Sequence, residues 1–146
     1  MSTGRHEFET VASELVYSGA ILALRKDQVL MPGGVLAWRE VVEHHGAVAV
    51  VAIDEQDRIV LIDQYRHPVG RRLLELPAGL LDAPGEDPLA AVQRELAEET
   101  GLAAAHWSVL ADLALSPGFT DEALRVYVAS GLREVERPEP EYEEAD

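Results

Sequence analysis

Glu95, Glu98 and Glu99 stand at positions i, i+3 and i+4 of the stretch Arg94-Glu95-Leu96-Ala97-Glu98-Glu99-Thr100-Gly101. At about 3.6 residues per turn, that spacing sets all three carboxylates on one helical face. Like charges so placed cost a helix roughly 0.2–0.5 kcal/mol per pair, and the negative end of the macrodipole lies close by. Local stability therefore does not account for them. Three carboxylates with no cysteine or histidine among them suit a hard divalent cation, Mg²⁺ or Mn²⁺. The same residues also fit an acidic solvent-facing surface on which Arg94 and Glu98 form an i, i+4 pair.

The element that must carry these groups is a helix over 88–100. Asp87 can cap it, Pro88 suits its first position, and Gly101 can take the left-handed conformation that ends it. Leu89, Val92 and Leu96 form one apolar stripe, which predicts packing against a sheet. Residues 14–24 and 35–43 read as β segments separated by the turn Met31-Pro32-Gly33-Gly34. The densest apolar run, 47–53, and the segment 59–65 flank a polar turn at 54–57, which predicts a hairpin at the centre of the sheet. Further strands are predicted over 73–76, 108–115 and 124–129, with no internal repeat.

A chain of 146 residues, 47% of them apolar, has room for one domain with a real core. No run approaches the ~18 apolar residues of a membrane helix, and the N-terminus lacks the apolar core of a secretory signal, so a cytoplasmic protein is expected. With no cysteine, carboxylates and five histidines are the candidate reactive groups. His44 and His45 are neighbours that point to opposite faces of a strand, and all five histidines read as structural or surface residues. The net charge of −15 argues against nucleic acid or an anionic membrane as partner. An anionic substrate would then need cations to mediate its binding. The acidic, proline-interrupted run 134–146 reads on composition as a solvated tail.

Read outward from the helix, the sequence is Leu76-Pro77-Ala78-Gly79, a polar loop, Glu86, and then Arg94 to Leu102. This resembles the Nudix box, a glycine and a glutamate followed by Arg-Glu-apolar-x-Glu-Glu-x-Gly-apolar. Six residues separate Gly79 from Glu86 where the family has five, which implies a loop one residue longer. The resemblance implies an α+β Nudix fold, with a mixed β-sheet in an α/β/α sandwich, over 46–146. It also implies an N-terminal β-appendage over 1–45, and the chain stops where the family continues into a final strand and helix. Glu95 and Glu99 would be the principal metal ligands, with Glu98 joining through a second ion or a bound water. The backbone carbonyl of Ala78 would complete the set, and Glu86 and Arg94 would hold loop and helix together and orient the ligands.

The segment from Leu115 to Glu122 is similar to one that marks ADP-ribose pyrophosphatases, in which a proline lies sixteen residues beyond the last box glycine. Pro117 stands sixteen after Gly101, although as a plain Pro-Gly turn it is also an ordinary connector. That subfamily implies hydrolysis of ADP-ribose to AMP and ribose 5-phosphate, and a homodimer formed through the N-terminal segment. Arg39 and Arg66 are the basic residues expected on the adenosine and phosphates, with surface ion pairing as the alternative. Tyr17 and Trp38 fit simple packing better than base stacking. Glu143 or Glu144, in Tyr142-Glu143-Glu144-Ala145-Asp146, resembles the family's late glutamate and would act as general base or extra ligand. Two rival readings stand beside this one: a hydrolase for another nucleoside diphosphate sugar or a dinucleotide, and a sensor that binds ADP-ribose without cleaving it.

Overall fold

The computed structural model describes residues 8–83 and 85–137. The described chain divides into two units, one formed by 8–45 with 114–122 and the other by 46–113 with 123–137.

The first unit is a three-stranded antiparallel sheet of β1 (Glu9–Ser18), β2 (Leu22–Leu30) and β3 (Leu36–His44), in that order. The predicted 14–24 segment is corrected here, because the chain reverses inside it. Gly19 donates its N–H to the Leu22 carbonyl, and two strands replace one. Apolar residues on both sides of Ser18-Gly19-Ala20 hide that turn from a periodicity reading. The turn at 31–34 forms as expected, with Gly33 and Gly34 both at positive φ. Asp27, a buried charged residue on β2, accepts hydrogen bonds from Ser13 on β1 (2.7 Å) and from its neighbour Arg25 (3.0 Å). Arg25 in turn pairs with Glu43 on β3, so one charge network stitches three strands. The excursion 114–122 docks on β3. Val42 donates to the Phe119 carbonyl (2.7 Å), Asp121 donates to the Val42 carbonyl (3.2 Å), and the Asp121 carboxylate accepts from the His44 N–H (2.9 Å).

The second unit is built on a mixed four-stranded sheet in the order β7 (Ala78–Leu80), β4 (Ala47–Ala52), β9 (Ala123–Glu134), β8 (Leu102–Ala114). β4 runs parallel to β9 and antiparallel to β7. The expected central hairpin is only half right. β4 is central, but its pairing with the following segment is at the turn end, through the Ile53–Ile59 bridge and the Val60 N–H to the Ala52 carbonyl. β5 (Ile62–Arg66) leaves to pair with β6 (Arg71–Glu75) across the 3-10 turn His67–Val69. The edge of β4 is taken instead by β7, a three-residue strand too short to show a period.

Helix α1 spans Pro88–Thr100, as its end signals predict. The Asp87 carboxylate accepts from the Ala90 N–H at 3.2 Å, and Gly101 closes the helix at φ 69°. Val92 and Leu96 are fully buried with Ala91 against Val48, Val50 and Ala52 of β4 and Tyr127 and Ala129 of β9, and Leu89 packs at the margin. Burying a leucine or valine side chain contributes about 1.5–3 kcal/mol, enough to outweigh the repulsion on the helix's acidic face. Among the described residues α1 is the one α-helix, and none is long and apolar enough to cross a membrane.

Candidate active site

The apolar stripe of α1 fixes the helix's rotation and so decides where its carboxylates point. With Val92 and Leu96 held in the core, Glu95 and Glu99 turn toward β7. The Glu99 carboxylate accepts the backbone N–H of Ala78 at 3.0 Å. Glu95 lies against the next residue, Gly79, so closely that a Cβ added there would fall 2.1 Å from its carboxylate oxygen. A side chain at position 79 would require Glu95 to move, which gives the glycine a steric reason separate from backbone conformation.

Arg94 holds the remaining acids. Its guanidinium lies 2.8 Å from Glu95, 2.9 Å from Glu98 and 3.3 Å from Glu86. Burial works against its charge, but the hydrogen bond to Glu86 and the charges of Glu95, Glu98 and Glu86 prevail and raise its pKa above the ordinary arginine value. Burial likewise pushes the Glu95 carboxyl upward. Arg94 opposes that shift, while Glu98 and Glu86 add to it. Three carboxylates thus share one arginine on this face, and Glu95, the most enclosed of the three, is the least comfortable as an anion.

The donor chemistry fits a hard divalent cation: every side-chain donor is a carboxylate oxygen, and negative charge exceeds what Arg94 can offset. Among the described residues, no three acidic or imidazole side chains gather around a common point. Each ligand candidate is instead engaged by Arg94 or by the Ala78 N–H. Sequence reasoning assigned Ala78 through its carbonyl, and the contact the structure shows is through its N–H. Backbone donors of this kind leave no signal in residue type.

The other candidates lie on other elements. Arg66 forms a two-pronged ion pair with Glu75 (2.7 and 2.9 Å) on the β5–β6 hairpin, which lowers the Glu75 pKa. Arg39 lies on β3 of the first unit, exposed, with its guanidinium on the Trp38 carbonyl at 2.9 Å. Pro117 sits in the excursion docked on β3, next to Ser116 at φ 44°. Glu143 and Glu144 lie outside the described residues.

Residues 43–146 match the family model described as the NUDIX domain, and residues 8–42 match that of a nucleoside diphosphate sugar hydrolase N-terminal domain. The chain is 61% identical to an ADP-ribose pyrophosphatase of Mycobacterium tuberculosis, over 97% of this chain and 68% of that protein. It is 44% identical to a methanol dehydrogenase activator of Bacillus methanolicus, over 89% of this chain and 70% of that one. A crystal structure described as an ADP compounds hydrolase superposes with a TM-score of 0.82 at 25% identity, covering 97% of this chain and 76% of the other.

Proposed function

Because the chain belongs to the NUDIX family, we propose that it hydrolyses ADP-ribose to AMP and ribose 5-phosphate. The observation that carries this reading is the packing of Glu95 and Glu99 against the Ala78-Gly79 backbone, with Arg94 tying Glu98 and Glu86 to the same face. The relative named as an ADP-ribose pyrophosphatase supports the choice of substrate.

In this reaction the water oxygen becomes bonded to one phosphorus, the bridging P–O bond breaks, and the leaving phosphate keeps the bridging oxygen. Glu95 and Glu99 would be the principal ligands of Mg²⁺ or Mn²⁺, with Glu98 and the Ala78 carbonyl completing the set. When bound, the metal supplies the positive charge that offsets the diphosphate and makes water a better nucleophile. The chain's own part is preorganisation. The Ala78 N–H fixes the Glu99 carboxylate, the bare Gly79 leaves room for Glu95, and Arg94 and Glu86 brace loop against helix. Arg39, Arg66 and Pro117 are assigned to the substrate by the resemblance alone. Glu143 or Glu144 is the proposed general base.

The same reading makes the protein a homodimer. β1 is exposed along its whole length, with Leu15, Val16 and Tyr17 among its open apolar side chains. Isolated apolar residues on a surface are ordinary, but the run Leu15-Val16-Tyr17 with Val11 on one exposed strand suits self-association.

Product identification tests the substrate assignment. ADP-ribose, other nucleoside diphosphate sugars and dinucleotides are incubated with the protein and Mg²⁺, and the products are separated and weighed by mass spectrometry. AMP and ribose 5-phosphate formed fastest from ADP-ribose is the expected result. Faster turnover of another diphosphate replaces the substrate, and binding without products replaces the enzyme with a sensor.

A further inference from the structure

The last turn of α1 carries Glu98 and Glu99 but no basic residue of its own. Its carbonyls are partners left over by the helix, and they sit at the negative end of the macrodipole, beside two anions. A residue far along the chain meets this need. Arg137 donates through Nε to the Glu98 carbonyl at 2.6 Å. Two residues earlier, the Val135 N–H donates to the Gly101 carbonyl at 2.9 Å. Gly101 turns the chain out of the helix in the left-handed conformation (φ 69°), and the Val135 carbonyl oxygen and the Arg137 Cβ come within 3.6 and 3.8 Å of where its Cβ would stand, ordinary contact distances. The segment leaving β9 is therefore pinned along the end of the helix by two bonds, one of them charge-assisted and aimed at the residue that bears a candidate metal ligand.

We propose that Arg137 is a positioning residue for the metal-binding turn: by holding the Glu98 carbonyl it fixes the backbone from which Glu98 and Glu99 reach the cation. This rests on the metal-site reading above. A simple electrostatic role and a positioning role differ in sign. Removing a positive charge beside a carboxylate cluster should by itself tighten cation binding. Loosening the turn should weaken it, as happens when groups that orient metal ligands are lost.

The test is Mn²⁺ binding to the substrate-free protein, followed by electron paramagnetic resonance, in wild type, Arg137→Ala, Arg137→Lys and Arg125→Ala. Arg125 serves as the control. It pairs with Asp112 across β9 and β8 (2.7 Å), and its replacement removes the same unit of charge. Arg137→Ala is expected to bind Mn²⁺ about tenfold more weakly than Arg125→Ala, the lower end for outer partners of a metal site. Arg137→Lys, which keeps a charged donor, should recover part of the loss. Equal affinity in the two alanine variants, or tighter binding by Arg137→Ala, overturns the proposal while leaving the metal site standing. A wild-type protein that binds no Mn²⁺ removes the metal site itself, and the proposal with it.

Discussion

One added methyl group at position 79 would displace a carboxylate of the candidate site. An alanine there would drive its Cβ into the Glu95 side chain, which could give way only by shifting from its place 2.8 Å from the Arg94 guanidinium. Gly79→Ala is therefore expected to cost about 1–3 kcal/mol, the usual range for overpacking, and to lower hydrolysis by displacing Glu95. Thermal unfolding and steady-state kinetics on the same preparation check both effects, and a variant with unchanged melting temperature and rate would mean that Glu95 has room to spare. At this scale the sequence is readable where chemistry shows in residue type. The spacing of Glu86, Arg94, Glu95, Glu98 and Glu99 marks a candidate site, and Arg94 links Glu86, Glu95 and Glu98 in the fold. What stays hidden is backbone chemistry, such as the Ala78 N–H on Glu99, and pairings set by the fold, such as Arg66 with Glu75.

α1 is legible because its signals are local: a cap, a proline, a stripe and a terminal glycine lie within fifteen residues of one another. Strand pairing is not local. Nothing in 59–65 says that β5 will abandon β4 for β6, or that three residues at 78–80 will take the vacated edge. Pairing of this kind is decided by which partner buries more surface and satisfies more hydrogen bonds across the whole sheet. The N-terminal sheet gives a test at the same scale. Asp27 ties β2 to Ser13 of β1, and its pKa lies below the ordinary 3.8 because Ser13 and Arg25 both hydrogen-bond its ionised form. A lowered folded value means that ionisation supports the fold at higher pH, and that this support is lost as pH falls through the folded value. Denaturant stability measured against pH should show Asp27→Asn weaker than wild type at neutrality, with the gap closing below the ordinary 3.8. A gap that stays constant through acid pH would mean the carboxylate's charge contributes nothing.

Over the whole molecule, composition restricts the options before any motif is considered. A net charge of −15 makes an anionic substrate costly to approach unless cations accompany it, which agrees with a diphosphate handled through metal ions. The division into two units was less legible, because the excursion 114–122 belongs by its hydrogen bonds to β3, some seventy residues earlier in the chain. No local pattern could reveal that docking. The exposed apolar side chains of β1 carry the dimer prediction: light scattering should give twice the monomer mass for wild type and a monomer for Leu15→Glu. A monomeric wild type would leave that strand without its proposed partner.

The central claim is that the carboxylates of α1 cleave ADP-ribose with a divalent cation. Its most direct test is the release of AMP and ribose 5-phosphate by wild type with Mg²⁺, by wild type with a chelator, and by Glu99→Gln with Mg²⁺. Cleavage by wild type with Mg²⁺ alone is expected, with Glu99→Gln reduced by more than about 100-fold, beyond the range seen for outer partners of a metal site. Cleavage that survives both the chelator and the substitution would contradict the claim.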